Sequence, residues 1–301
     1  MTGTALLALI SLATVGGAHL LAGARWTWRT PRIGIALWQA LGLGWGVATI
    51  GALLGAALLP YRKGVAGGLP GLVDDQAARL DAVHMAALLA AISLTAVLLA
   101  MLMYAVVRVV RARARHRALL ALVSRSDSAV PGTLVLDHPG AAAYCVPGVR
   151  SSKVVVSAGT MELLDRAELA AVLAHERAHA RERHDLVLLP FASLRQVFPQ
   201  FRLVARCLDA VELLIEMAAD DRARTGRPAR ELATALLRFA AARPAAAPSG
   251  TLGVASTDDI PVLARVNRLL EPRSLPRSTR LAATVAVPVI AGLPWLLIVL
   301  P

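Results

Sequence analysis

Four long runs of apolar residues separate stretches of mixed polarity along the chain. They cover about 5–24, 33–59, 85–107 and 281–301. A helix needs about 20 apolar residues to cross the hydrocarbon core of a bilayer, and lipid offers no partner for an unpaired backbone polar group. We therefore predict a multi-pass α-helical membrane protein with about four transmembrane helices. The first run has no basic segment before it, which favours an uncleaved span over a signal peptide.

Residues 108–280 have a different pattern and are the part of the chain that can fold in water. Three short β-rich runs broken by proline and glycine predict strands, and helical periodicity follows them. Asp165 and Glu168 predict an N-cap and its capping box at the first of these helices. The pattern as a whole predicts an α+β, mainly helical domain. The predicted strands lie at 132–139, 141–148 and 153–159, further helices lie at 203–223, 229–242 and from about 259, and a loop covers 242–256.

The net charge of +12 is concentrated beside the apolar runs. Arginines follow the first and third runs and precede the fourth, whereas the loop between the second and third is weakly charged. Because cytoplasmic loops of membrane proteins carry an excess of Lys and Arg, both termini are predicted outside the cell membrane and residues 108–280 in the cytoplasm. The charge therefore indicates topology and contact with the lipid bilayer, and we expect no direct nucleic-acid binding.

The composition agrees with this interpretation. The hydrophobic fraction is 56% with only 4% aromatic residues, and the mean hydropathy is +0.60. These values are typical of a membrane protein. The two cysteines, Cys145 and Cys207, are far apart in sequence and do not form a disulfide framework or a CxxC metal motif.

The stretch LAHERAHARERHD, at 173–185, carries the candidate chemistry. His175 and His179 are four residues apart on a predicted helix, so both rings project from one face and can hold one Zn²⁺. Glu176 lies beside the first of them, where its carboxylate can serve as a general base. The H-E-x-x-H spacing is that of zinc metalloproteases; the alternative is a polar helix rich in charge. His184 is predicted either to be solvated or to lie behind the ligands.

A second helix supplies an acidic pair in the stretch EMAADDRA. Glu216 and Asp220 are again four residues apart and share one helix face. Glu216 as the third ligand would complete a set of two histidines and one glutamate. Asp220 could then accept a hydrogen bond from the outer nitrogen of a ligand histidine and fix its tautomer.

The segment from about 141 to 223 resembles the integral-membrane gluzincin peptidases. These include the CAAX prenyl proteases, the bacterial heat-shock protease HtpX and the BlaR/MecR-type signal-transducing peptidases. The shared pattern is AYCVPG…KVVVSAGTMELLDRAELAAVLAHERAHARERHD, followed by EMAAD. Four spans with the soluble domain between the third and fourth are most similar to the BlaR/MecR type. The resemblance implies a zincin-like metalloprotease domain at 108–280, after three spans in 1–107 and before a fourth at 281–301.

The resemblance also implies roles for particular residues. Glu176 would be the general base, and His175, His179 and Glu216 would bind zinc. A later arginine-containing helix of the family is similar to LARVNRLL, which would bring Arg265 to the site as a substrate-binding residue. Two departures are visible: Ala142 and Ala143 stand where the family often has Asn-Ala, and the chain ends at Pro301 without the penicillin-binding domain of BlaR-type sensors.

We therefore expect a membrane-embedded zinc endopeptidase that cleaves a cytoplasmic or membrane-surface protein. Residues 141–146 are predicted to be an edge strand on which the substrate lies extended, in contact with Ala143 and Tyr144. Tyr144 would either help to hold the oxyanion or be a core aromatic. Two alternatives remain open. One is a signal transducer that cleaves a transcriptional repressor or itself and requires a separate sensor protein. The other is a non-enzymatic, zinc-stabilised membrane scaffold.

Overall fold

The computed structural model describes residues 2–72, 80–126, 131–146, 152–242 and 259–299. These residues are mostly helical, with one small sheet. The predicted loop at 242–256 lies outside the described residues, apart from Ala242. The α-helices are α1 (Thr2–Leu21), α2 (Pro31–Ala57), α3 (Gly64–Gly68), α4 (Ala82–Val123), α5 (Ala158–Leu163), α6 (Arg166–Arg181), α7 (His184–Val197), α8 (Arg202–Ala223), α9 (Ala229–Ala241), α10 (Asp259–Leu270) and α11 (Arg277–Val299).

The chain forms two compact units. One contains Met1–Tyr104, Pro190–Val211 and Leu275–Pro301, and the other contains Ala105–Leu189 and Glu212–Ser274. Three helices, α4, α7 and α8, therefore contribute residues to both units. The segment Pro190–Val211 lies within the predicted domain at 108–280 but groups with the unit that contains the apolar helices.

Four of the helices, α1, α2, α4 and α11, are long and apolar enough to cross a membrane by length and composition. They cover most of the four apolar runs of the sequence. The third run was predicted to end at about 107, but α4 continues as one helix to Val123. Its sequence contains no proline or glycine, the residues that most often kink a helix. The arginines that follow the third run are thus helical rather than part of a loop.

The first unit is held together by close approach of α1, α2 and α11. A Cβ atom at Gly44 of α2 would lie 2.8 Å from the backbone oxygen of Ile290 in α11. The hydroxyl oxygens of Ser11 in α1 and Thr49 in α2 are 2.7 Å apart. Small residues and interhelical hydroxyl bonds of this kind allow apolar helices to approach closely.

The second unit contains a sheet of four strands: β1 (Ser124–Ser126), β2 (Thr133–Leu136), β3 (Ala143–Val146) and β4 (Lys153–Ser157). Their order in the sheet is β1-β2-β4-β3. The strands β2 and β4 are parallel, whereas β1 pairs with β2 and β3 with β4 in antiparallel fashion. Each of the three predicted strands contains one of these strands, and β3 is an edge strand as predicted; residues 147 and 148 of the predicted run 141–148 lie outside the described residues.

The two faces of the sheet are covered by different helices. Val154 and Val156 of β4 belong to the main core with α6, α9 and α10. The intervening Val155 packs on the opposite face with Leu120 of α4. This alternation follows from the period of two in a β-strand, and it places α6 against one face of the sheet.

The start of α6 is fixed by the capping box that the sequence predicted. The Asp165 carboxylate accepts hydrogen bonds from the backbone N–H groups of Ala167 and Glu168, at 2.8 and 2.9 Å. The Glu168 carboxylate accepts in return from the backbone N–H of Asp165 at 3.0 Å. A cap of this kind contributes about 1 kcal/mol. A salt bridge of 2.9 Å from Arg238 to Glu168 ties the same end to α9. The orientation of α6 is thereby set before its functional residues begin.

Candidate metal centre

The side chains of His175 and His179 from α6 meet that of Glu216 from α8. The two Nε2 atoms of the histidines are 3.1 Å apart. The carboxylate oxygens of Glu216 lie 3.3 Å from Nε2 of His175 and 3.4 Å from Nε2 of His179. The structure thus brings together the three residues that the sequence predicts as ligands, and their ligand atoms all lie within 4.8 Å of one another.

These distances fit a tetrahedral zinc ion. With bonds of about 2.0–2.1 Å, neighbouring ligand atoms of tetrahedral zinc are separated by about 3.3 Å. The three side chains form a triangle in which the two Nε2 atoms are 3.1 Å apart and lie 3.3 and 3.4 Å from different oxygens of Glu216, Oε2 for His175 and Oε1 for His179. Two imidazole nitrogens and a carboxylate are also the donor types that zinc accepts, and three protein ligands leave the fourth position open, as in catalytic sites. The donor set therefore fits the metal that the sequence predicts.

Glu176 is buried next to this triangle. Burial raises the pKa of its carboxyl to about 7, partly opposed by the neighbouring His175 and by a hydrogen bond from the backbone N–H of Cys145. Cys145 lies in the edge strand β3. The predicted base is therefore held between the metal ligands and the strand on which a peptide is predicted to bind.

Asp220 supports the first histidine from behind. It is fully buried, and its carboxylate oxygen lies 3.0 Å from Nδ1 of His175. A carboxylate at this position favours a proton on Nδ1, which leaves the Nε2 lone pair free for a metal. Burial alone would raise the pKa of Asp220, but the neighbouring Arg265 guanidinium outweighs that effect and brings this pKa down to about 2. Asp220 is therefore ionised near neutral pH, as the predicted role requires.

Arg265 lies among the carboxylates of the site. It is 4% exposed and donates from Nε and Nη2 to Asp220 at 2.9 and 2.8 Å. Its Nη1 lies 2.8 Å from the Glu216 carboxylate. Burial raises the pKa of Glu216, but Arg265 and the two histidines outweigh it and hold that pKa well below the usual range. The observed contacts are those of a residue that positions the carboxylates, and a direct substrate contact by Arg265 stays a prediction.

The two remaining predicted residues lie in β3. The Ala143 side chain is buried in the main core, which leaves its backbone as the group that can face a substrate. The Tyr144 ring lies 5.6 Å from the His116 ring of α4, and burial raises the pKa of its hydroxyl. An oxyanion contact and a substrate contact of Tyr144 stay predictions.

The sequence left the position of His184 open between two alternatives. His184 is 4% exposed, and its Nδ1 lies 3.1 Å from Nδ1 of His179. Of the two predicted alternatives, a position behind the ligands is therefore confirmed and a solvated position is wrong. The third histidine in LAHERAHARERHD was a visible signal, but its spacing of five residues does not place it on the same helix face.

The family model of Peptidase family M48 matches residues 109–245. This segment includes all five residues of the H-E-x-x-H motif and Glu216, and the match supports a zinc metallopeptidase. No solved structure matches the chain significantly.

Proposed function

We propose that the chain is a membrane-embedded zinc endopeptidase, on the premise that residues 109–245 form a domain of peptidase family M48. The observation that carries the proposal is the triangle of His175, His179 and Glu216 beside the buried Glu176. His175, His179 and Glu216 would hold the metal. A zinc ion at this position would act as a Lewis acid, polarising the scissile carbonyl and lowering the pKa of bound water toward about 7.

Glu176 performs the proton transfers in the proposed reaction. Its carboxylate accepts a proton from the attacking water and delivers it to the amine that leaves the scissile bond. A general base is most effective when its pKa lies near the working pH, and burial raises the pKa of Glu176 toward that range. Asp220 keeps the proton of His175 on Nδ1, and Arg265 keeps Asp220 and Glu216 ionised and in place.

A peptide is the substrate class that the edge strand favours. An extended peptide can add to an exposed sheet edge through backbone hydrogen bonds, and β3 is the edge strand next to Glu176. We propose that the substrate is a cytoplasmic or membrane-surface protein, and that its chain runs along Ala143–Val146. The proposed topology has both termini outside and the peptidase domain in the cytoplasm, in agreement with the arginine distribution.

The test compares wild type with Glu176→Gln in a survey of new protein N-termini in the native host. The substitution keeps side-chain size and removes the base, so zinc should be retained and cleavage products should disappear. Glu271→Gln is the matched control, because the same chemical change then falls on an exposed residue. A fully active Glu176→Gln protein would refute the proposal. Identical N-termini in all three strains, with zinc-loaded protein present, would favour the scaffold instead.

A signal transducer is the second candidate, and the unbroken helix α4 favours it. The same helix contains a candidate span and, in its last part, residues that pack within the second unit: Arg113 bonds Asp185 and Leu120 packs on the sheet. The proposed partners are a transcriptional repressor as substrate and a separate sensor protein. A single dominant cleaved repressor in the survey would favour this candidate, whereas many cleaved membrane proteins would favour general proteolysis.

A further inference from the structure

His184 occupies an unusual position in the backbone and in the core. It is the first residue of α7 and follows Arg183, whose φ of 52° lies in the left-handed region. A non-glycine residue in that region is uncommon and persists where the surrounding structure enforces it. The turn aims the buried His184 ring at His179, and the two rings meet edge to face with centroids 4.9 Å apart.

The two Nδ1 atoms of this pair, 3.1 Å apart, can bond only if one ring donates and the other accepts. His179 directs Nε2 into the triangle of ligand atoms, so that nitrogen must carry a lone pair when a metal is bound. The proton of neutral His179 is then on Nδ1, and His179 is the donor. Nδ1 of His184 is the acceptor, which leaves the proton of His184 on Nε2.

The next contact agrees with this assignment. Nε2 of His184 lies 3.3 Å from a carboxylate oxygen of Glu182, an acceptor that favours a proton on that nitrogen. The contacts therefore run from the Glu182 carboxylate to the His184 ring, and from the His184 ring to the ligand His179. At His175 a carboxylate takes this place directly, without an intervening ring, since an Asp220 oxygen lies 3.0 Å from Nδ1 of His175. Each ligand histidine thus has a partner on its outer nitrogen.

We propose that His184 is a positioning residue for the metal ligand His179, fixing its tautomer and ring orientation by accepting the hydrogen bond from Nδ1. This inference rests on the proposed metal centre and deepens it. The neighbouring Asp185 adds support, because its carboxylate accepts a 2.7 Å hydrogen bond from Arg113 of α4 and so fixes the first turn of α7. The outer partners of ligand histidines typically contribute about 10- to 100-fold to metal affinity.

The experiment uses a pair of amide substitutions in the full-length protein in detergent. The side chain of His184→Asn places its amide near the position of Nδ1 and can accept from His179. The side chain of His184→Gln places its amide near Nε2 and leaves His179 without the acceptor. His138→Ala is the control, since it removes an exposed imidazole whose ring bonds the backbone of Gly140. Thermal unfolding curves establish that each variant is folded.

The main readout is zinc affinity, measured by competition with a chromophoric chelator. We expect His184→Gln to bind zinc about 10- to 100-fold more weakly than wild type, and His184→Asn to recover most of that loss. The absorption spectrum of the cobalt-substituted protein should shift in His184→Gln and stay close to wild type in His184→Asn, because the orientation of a ligand ring alters the ligand field.

Three results would overturn the inference. Unchanged affinity and spectrum in His184→Gln would show that His179 does not need the acceptor. An equal loss in both amide variants would show that ring packing matters rather than the hydrogen bond. Failure of the wild-type protein to bind zinc would refute the inference together with the metal centre. Zinc-loaded wild type that cleaves no substrate would refute the proposed protease but leave the affinity series as evidence for His184.

Discussion

Replacing Arg265 with methionine removes a cation that contacts two buried carboxylates. Arg265 makes contacts of 2.8–2.9 Å with Asp220 and lies 2.8 Å from Glu216. Methionine fills a similar volume without the charge. Removing one partner of a buried ion pair costs about 3–5 kcal/mol, because the other charge stays in a medium that solvates it poorly. For a unit of this size, each kcal/mol lowers the unfolding temperature by about 2–4 °C.

The expected result is a decrease of roughly 6–20 °C in the unfolding temperature of the full-length protein in detergent with a chelator present. Tryptophan fluorescence or calorimetry can follow the transition. Added zinc should reduce the difference from wild type, since the metal gives Glu216 a cation in place of the arginine. Arg265→Lys should fall between the two proteins, because lysine keeps the charge but lacks the planar fork that binds Asp220 through two nitrogens.

The matched control is Arg273→Met. Arg273 makes an ion pair with Glu271 in which both side chains are 71% exposed, and such pairs contribute about 0–1 kcal/mol. If Arg265→Met lowered the unfolding temperature no more than Arg273→Met, the contacts of Arg265 would not stabilise the site. A double variant, Arg265→Met with Asp220→Asn, should be less destabilised than the sum of the two single changes, because the pair is coupled.

Three further predictions concern the proposed base, the outer partner of His175 and the packing of the apolar helices. The value of kcat/KM should rise with pH through an acid limb, because Glu176 must be ionised to accept a proton. Burial raises the pKa of Glu176 to about 7 and a bound cation would lower it, so the limb should be centred at or below about 7. A pH–rate profile tests this, and the absence of an acid limb between about pH 4 and 8 would contradict it. Asp220→Asn should weaken zinc binding by about 10- to 100-fold in the chelator competition, and unchanged affinity would argue against its contact with His175. Gly44→Ala should destabilise the protein by about 1–3 kcal/mol in a detergent unfolding titration, because its Cβ meets the Ile290 carbonyl at 2.8 Å. Gly42→Ala, with nothing within 4 Å of its Cβ, should be neutral or stabilising, and equal effects of the two changes would refute the packing argument.

Local sequence signals predicted much of the candidate metal centre. His175 and His179 share a helix face because they are four residues apart, and the same spacing places Glu216 and Asp220 together on α8. The capping box at Asp165 was predictable for the same reason, since every contact in it spans three residues or fewer. Such patterns depend on the geometry of one helix, which the sequence encodes directly.

Contacts that depend on a turn or on distant segments were not predictable in the same way. The burial of His184 requires the left-handed backbone of Arg183, and nothing in the residue type at that position indicates it. Asp185 accepts a hydrogen bond from Arg113, 72 residues earlier, and no helix spacing indicates that pairing. The strands β2 and β4 are neighbours in the sheet although β3 lies between them in the sequence. Their parallel pairing likewise depends on tertiary packing rather than on strand pattern.

The length of α4 exceeds what a membrane crossing requires. At about 1.5 Å per residue, its 42 residues extend about 63 Å, roughly twice the hydrocarbon thickness of about 30 Å. A span of about 20 residues would therefore account for only about half of the helix. The other half carries Arg113 and His116, whose side chains contact Asp185 and Tyr144. One uninterrupted helix thus supplies both a candidate span and packing contacts of the second unit.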